Sequence, residues 1–219
     1  MKSLWIVVMA MVMAPTLAFA QTERAYVGGI GGFAITPDTT SGDVSAEAGV
    51  RIAPHLSLFA DVGHFHNLQP SDVQDNVDLT TQASADTGLN VIGTGRVPAM
   101  YSVGGVRYQP AMLGRIAPYV LGGVGVAHLT PTARFTYSSG ALPDGSTPAV
   151  GDDVTSQLES AFDFSLPMPG NAFMATIGGG VEVPLARHWA VDADYRFSRI
   201  KADTPLNAQG ATFGIGYRF

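Results

Sequence analysis

Residues 210–219 read Gly-Ala-Thr-Phe-Gly-Ile-Gly-Tyr-Arg-Phe. Apolar residues occupy every second position, and small, polar or charged residues lie between them. This period of two is typical of a β-strand with one apolar and one polar face. Such a strand is an association hazard at an exposed sheet edge in water, whereas a closed barrel in a bilayer accommodates both faces. The stretch therefore predicts the closing strand of a transmembrane β-barrel.

Seven further segments of the sequence alternate in the same way. We predict strands at residues 25–35, 45–53, 56–67, 99–109, 116–130, 171–186 and 189–200, with the last strand beginning near residue 210. The long connections between them fall at 36–44, 68–97, 131–170 and 201–209, and short turns lie between these. Transmembrane barrels have an even strand number, with short turns at one end and longer loops at the other. We therefore predict an all-β fold, an eight-stranded antiparallel up-and-down transmembrane β-barrel.

The composition agrees with alternating strands. The chain holds 26 glycines, no cysteine and only 14% charged residues, and its mean hydropathy is +0.19. Beyond the first twenty residues, no stretch is long and apolar enough to span a membrane as a helix. The formal net charge of −6 argues against a nucleic-acid-binding surface, which needs a basic stripe.

The N-terminus has the pattern of a secretory signal peptide. Lys2 supplies a positive charge, residues 4–13 form a short apolar core, and Ala18-Phe19-Ala20 fits the small-x-small cleavage rule. We predict a signal peptide at residues 1–20 and the barrel domain at 21–219.

The charged residues of the predicted strands lie mostly on the face opposite the apolar one. If the apolar face contacts lipid, five acids and four bases face the lumen: Glu47, Arg51, Asp61, Arg107, Glu182, Asp192, Asp194, Arg196 and Arg218. Eight strands leave an interior about wide enough to be filled by side chains. The near balance of charge predicts an ion-pair network that closes the lumen. The alternatives are a path for ions or protons, and a catalytic carboxylate pair at Asp192 and Asp194.

Two stretches now indicate a family. Residues 178–185 (Gly-Gly-Gly-Val-Glu-Val-Pro-Leu) and 189–197 (Trp-Ala-Val-Asp-Ala-Asp-Tyr-Arg-Phe) resemble the penultimate hairpin of small Gram-negative outer-membrane β-barrel proteins. The ending Tyr217-Arg218-Phe219 is similar to their C-terminal aromatic signature. This superfamily includes OmpA-type barrel domains, OmpX-like adhesion and serum-resistance proteins, and surface antigens.

The resemblance implies a location in the Gram-negative outer membrane after cleavage near Ala20. It implies contact with outer-membrane lipid and lipopolysaccharide, and recognition of Tyr217 and Phe219 by the barrel-assembly machinery. We expect a monomer without a nucleic-acid partner.

Some enzymes resemble this architecture, notably lipid A deacylases with a His-x-Ser pair. The nearest stretch here is His128-Leu129-Thr130, which lacks the serine. His64 and His66 share one strand face but are too few for a defined zinc site. We therefore predict no catalytic, cofactor-binding or metal site, and no enzyme activity.

The two longest connections are predicted as external loops. In 131–170, Phe135 and Tyr137 alternate with polar residues, as do residues 162–166, which favours a hairpin raised above the bilayer. The alternative is a short helix at 153–162. Acidic residues in both loops, Asp163 among them, could be bridged by divalent cations to lipopolysaccharide phosphates, although solubility alone explains them.

These observations predict an outer-membrane barrel with a structural, envelope-integrity or surface-interaction role and a lumen closed by ion pairs. The alternatives are a small transport pore for ions or solutes and, less favoured, a lipid A-modifying enzyme.

Overall fold

A computed structural model describes residues 25–110, 113, 115–162, 164, 166–202 and 204–219. Within these residues it contains ten strands and two helices. The predicted signal peptide and its cleavage site, and Asp163, lie outside the described residues. The elements are β1 (Ala25–Ile35), β2 (Thr40–Ala53), β3 (Leu56–Phe65), α1 (Ser71–Asp86), β4 (Asn90–Arg96), β5 (Ala99–Tyr108), β6 (Ala117–Leu129), β7 (Thr132–Ser139), α2 (Thr155–Phe162), β8 (Gly170–Pro184), β9 (Trp189–Lys201) and β10 (Leu206–Arg218).

Eight of these strands form a closed barrel in the order β1-β10-β9-β8-β6-β5-β3-β2. Every neighbouring pair is antiparallel, and the seam is a long ladder between the first and last strands, from Tyr26 opposite Arg218 to Ile35 opposite Gln209. The prediction of an eight-stranded up-and-down barrel is confirmed.

The alternation of side chains around the barrel follows the sequence pattern. In β10, Phe213 is 64% exposed on the outer surface, whereas the neighbouring Thr212 is 3% exposed inside. Because β-strand side chains point alternately to the two faces, the apolar residues form the outer surface and the polar residues line the interior.

Two strands begin earlier than predicted. The β2 strand begins at Thr40 rather than residue 45, and β10 begins at Leu206 rather than near residue 210. Their first residues continue the alternation, since Ser41 and Ala208 are buried inside. The connections at 36–39 and 202–205 are therefore short, and only the connections at 66–98 and 130–169 are long.

The predicted long connection at 68–97 contains secondary structure that was not predicted, namely α1 and β4. Val73 and Val77 are one helical turn apart and buried, which gives α1 an apolar stripe within an otherwise polar sequence. Close approach of α1 to β4 requires glycine at residue 93, since a Cβ there would collide with the Val77 side chain.

The raised hairpin predicted within 131–170 is wrong. The strand around Phe135 exists as β7, but it pairs with β4 of the other long connection, with Phe135 opposite Gly93. The alternative, a short helix, is what the structure shows, as α2. Alternation predicted the strand correctly but carries no information about its partner.

We call α1, β4, β7 and α2 the cap. Val77, Phe135 and Leu158, one from each of three cap elements, have no exposed surface. The Phe135 N–H donates to Thr155 Oγ1 (2.9 Å), and its carbonyl accepts from the Val154 N–H (2.9 Å). The cap therefore has an apolar core of its own.

An exposed ion pair supports the cap at its edge. Arg134 Nε lies 3.0 Å from Asp153 Oδ2. The Thr155 hydroxyl and N–H donate to Asp153 Oδ1 (2.6 and 3.1 Å), and these hydrogen bonds hold the pKa of that carboxyl below its ordinary value. This contact joins β7 to the start of α2.

The cap meets the barrel through a second apolar cluster. Leu68, Val73 and Val97 come from the connection that carries the cap, and they pack with Met174 and Ile200 inside the barrel mouth. All five side chains are fully buried. The mouth at the cap end is therefore filled with apolar side chains.

No helix in the described part of the chain is long and apolar enough to cross a membrane.

Glycines on the inner face make room for large rings. A Cβ at Gly49 would collide with the Tyr26 ring, whereas one at Gly29, on the outer face of β1, would meet nothing within 4 Å. The Tyr26 ring therefore lies directly over the Gly49 backbone.

We expect Gly49→Val to lower the free energy of unfolding by about 1–3 kcal/mol, because added methyl groups overpack the interior. Denaturant unfolding in detergent micelles measures the change. Gly29→Val is the matched control and should leave stability unchanged or raise it. Equal destabilisation by both variants would contradict the packing described here.

Candidate functional site: a charged layer inside the barrel

The charged layer forms because inward positions of neighbouring strands lie at the same level. Glu47 of β2 is directly opposite Asp61 of β3, and Asp194 of β9 is directly opposite Thr212 of β10. Because side chains alternate between the two faces of a strand, each of these residues points into the lumen, and its neighbours along the strand point outward.

Arg196 is the centre of this layer. Its Nε donates to Asp194 Oδ1 (2.9 Å), its Nη1 to Asp61 Oδ2 (2.6 Å) and its Nη2 to Glu47 Oε2 (3.0 Å). One guanidinium therefore contacts carboxylates from three strands, as its planar fork of donors permits.

A second arginine joins the layer to the short-turn end. Arg107 Nη2 donates to Glu182 Oε2 (3.1 Å), and Nη1 lies 3.5 Å from Glu47 Oε1. The guanidinium carbon is 3.5 Å from the centroid of the Tyr119 ring, a cation–π contact. Arg218 also pairs with Glu182.

Hydroxyl groups donate further hydrogen bonds to two of these carboxylates, whereas Asp61 Oδ1 is buried without a hydrogen-bond partner. Tyr26 donates to Glu47 Oε1 (2.7 Å), Tyr119 to Asp194 Oδ2 (2.9 Å) and Thr212 to Asp194 Oδ1 (2.7 Å). These three residues are absent from the predicted lumen set because only charged side chains were considered for it. The alternation of side chains along the predicted strands would have placed these three residues on the inner face.

The structure brings seven of the nine predicted lumen residues together as ion pairs: Glu47, Asp61, Arg107, Glu182, Asp194, Arg196 and Arg218. Asp192 lies on the inner face but is contacted by the Tyr119 hydroxyl at 3.5 Å. Arg51 is exposed at the short-turn end and makes no ion pair with any residue that the structure describes.

Asp194 and His128 were considered as parts of catalytic sites, and both make hydrogen-bond contacts in the structure. Asp194 accepts hydrogen bonds from Arg196, Thr212 and Tyr119, so its carboxylate is held as an acceptor on both oxygens. His128 is exposed on the outer face, and its Nδ1 lies 2.8 Å from Asn171 Oδ1. Among the described residues, no group of three or more His, Cys, Asp or Glu side chains could hold a metal ion.

The outer surface is asymmetric in charge. All six carboxylates of the barrel strands, Asp43, Glu47, Asp61, Glu182, Asp192 and Asp194, lie on the inner face. Arg199 and Lys201 are the two charged residues on outward positions of these strands in the described chain, and both are exposed at the cap end of β9.

Aromatic residues cluster at the opposite end. The Tyr217 ring stacks on His188 (5.4 Å between centroids) and contacts Trp189 (5.2 Å) and Phe219 (5.1 Å). The Phe219 N–H donates to the Ala25 carbonyl (2.9 Å), which ties the last residue to the first strand. The two residues predicted as an assembly signal therefore lie at the seam.

Comparison with known proteins agrees with this architecture. Residues 5–219 match the family model described as the outer membrane protein beta-barrel domain. Neisserial surface protein A (NspA) is similar in structure with a TM-score of 0.53 and 13% identity, covering 89% of this chain and 96% of that chain. A major outer membrane protein from Thermus thermophilus gives a TM-score of 0.52 and 13% identity, covering 89% and 99%. At such identities the likeness concerns the fold. No curated protein matches the sequence.

We expect Arg196→Gln to destabilise the barrel by about 3–5 kcal/mol, because it leaves buried carboxylates without their cation. The shift in the denaturation midpoint in detergent micelles measures this. Arg199→Gln, on the outer face of the same strand, is the control and should change stability by less than about 0.5 kcal/mol. The importance of the ion pairs would be refuted if both variants unfolded at the same midpoint.

Proposed function

The chain belongs to the outer membrane protein β-barrel domain family, and on this premise we propose that it is a closed, non-catalytic outer-membrane barrel that presents an ordered cap for interactions at the cell surface. Barrels of this kind place their long loops outside the cell and their short turns in the periplasm. The cap then faces the exterior, and the aromatic cluster lies near the periplasmic interface.

The observation that supports this proposal is the presence of two layers of side chains across the lumen. The charged layer around Arg196 crosses the middle of the barrel, and its side chains come from β2, β3, β5, β8, β9 and β10. Above it, Leu68 and Val97 fill the mouth. Eight strands leave little room beyond such side chains, which supports a closed barrel over a transport pore.

The cap supports a surface-interaction role. Surfaces built on packed elements hold their shape better than surfaces on irregular loops, and the cap has a buried core around Phe135. Its polar outer surface is available to solvent and to other molecules. A barrel that served only to fill the membrane would need no such core.

We also propose that the outer leaflet contributes partners. Arg199 and Lys201 face outward at the cap end, which the proposed orientation would bring to the lipopolysaccharide phosphates, and guanidinium and ammonium groups bind phosphate well. Asp75 and Asp78 of α1, with other cap acids, would reach those phosphates only through divalent cations. The barrel-assembly machinery would recognise Tyr217 and Phe219 during insertion.

Single-channel recording in planar bilayers tests closure. We expect the folded protein, identified by its heat-dependent migration in detergent gels, to give no steady openings because both layers block the lumen. Steady openings whose amplitude changes in Arg196→Gln would contradict closure and favour the pore alternative.

Disrupting the cap tests the surface role. Phe135→Ala should cost the cap about 3–5 kcal/mol and speed proteolysis within residues 131–169, while heat-dependent migration of the barrel persists. Whole cells carrying this variant should then lose attachment to a panel of immobilised extracellular proteins and glycans, and keep their detergent resistance.

Val150→Ala, at an exposed position of the same connection, is the matched control and should behave as the wild type. If Phe135→Ala cells kept attachment but lost detergent resistance, the role would be envelope integrity instead.

A further inference from the structure

A polar pocket opens at the short-turn end of the barrel. Its wall includes Arg51, Ser57, Arg107, Gln109, Glu182 and Arg218. Arg51 and Ser57 flank the turn between β2 and β3, and Gln109 directly follows β5. The pocket is therefore at the end opposite the cap and opens toward water along the barrel axis.

The strand register places two arginines on either side of one hydroxyl. Arg51 of β2 is opposite Ser57 of β3, and Ser57 is opposite Arg107 of β5. Directly opposed residues on antiparallel strands have Cα atoms about 4.5–5.5 Å apart. Two guanidinium groups and a hydroxyl therefore share one row on the inner face.

Carboxylates of the protein balance only one of the two arginines in this row, since Arg107 pairs with Glu47 and Glu182. Arg51 has no ion-pair partner in the described part of the chain. Arg107 is 5% exposed, and although its two Nη atoms contact carboxylates, its Nε is buried without a hydrogen-bond partner. The pocket wall carries three arginines and one glutamate. Because Arg51 has no carboxylate partner in the described part of the chain, an anion from outside the protein would be stabilised beside it.

The charge changes sign deeper in the barrel. A second pocket adjoins the first and shares Tyr26, Arg107, Glu182 and Arg218 with it, but its wall adds Glu47 and Asp192. These two carboxylates would repel an anion. They would therefore oppose movement of an anion from the short-turn end into the charged layer.

We propose that this pocket binds a small oxyanion, the phosphate or carboxylate group of a soluble periplasmic molecule, through Arg51, Ser57 and Arg107. Arginine forks match the oxygens of both groups, and a serine hydroxyl supplies a further donor. The outward neighbours Ile52 and Leu58 face lipid, so the pocket is reached from water and not from the bilayer. The periplasmic source of the ligand rests on the orientation proposed above.

Calorimetric titration of the folded protein in detergent micelles with inorganic phosphate, and separately with acetate, tests the site. We expect saturable binding of one phosphate per chain, weakened at least about tenfold in Arg51→Gln and Arg51→Met because a charge-assisted hydrogen bond is lost. Ser57→Ala should weaken it less. Heat-dependent migration confirms that each variant is folded.

Arg187→Gln is the matched control, because Arg187 is an exposed arginine of a short turn at the same end and is not part of the pocket wall. It should bind phosphate as the wild type does. Absence of saturable phosphate binding, or equal affinity in Arg51→Gln and Arg187→Gln, would overturn the proposal.

A lipid headgroup is the competing source of phosphate. Binding of inorganic phosphate should be the same in nanodiscs of phosphatidylcholine and of phosphatidylglycerol. Loss of binding in the second would overturn the assignment to a soluble ligand. Both ends of the barrel are accessible in micelles and nanodiscs, so a failure here is distinct from a failure of the proposed orientation or closure.

Discussion

The structure depends on the way one guanidinium, that of Arg196, satisfies three buried carboxylates. A barrel in lipid keeps most charged side chains of its strands inside, and charges buried there are tolerated only when they are paired or hydrogen-bonded. Asp61 and Glu47 come from strands far from β9 in sequence, so their pairing with Arg196 requires the whole ring to be closed. Alternation of side chains and pairing of charges are therefore two aspects of one constraint.

The barrel could be predicted because its signal is local. In β10, Phe213 and Ile215 alternate with Thr212 and glycines within a few residues, and each strand repeats this pattern independently. The cap could not be predicted, because its core joins Val77, Phe135 and Leu158 from two separate connections. Alternation around Phe135 indicated a strand. Its pairing with β4 depends on Gly93, which is distant in the sequence.

The candidate site, like the fold, could be predicted only in part. Side-chain alternation placed Glu47, Asp61 and Arg196 inside, and this prediction requires only that the strands be assigned correctly. Side-chain alternation does not say which inward residue finds a partner, so it could not separate Arg51, which is exposed, from Arg107, which is buried and contacts two carboxylates. Nor could a count of charges predict that Tyr119 and Thr212 would donate hydrogen bonds to Asp194.

The ladder between β1 and β10 has a consequence for biosynthesis. Tyr26 pairs with Arg218, so the first strand has no partner on that side until the end of the chain has been made. Contacts between residues so distant in sequence form slowly, and the emerging polypeptide keeps an unpaired strand throughout translocation. The edge of that strand therefore stays open to association with other chains until the ring closes.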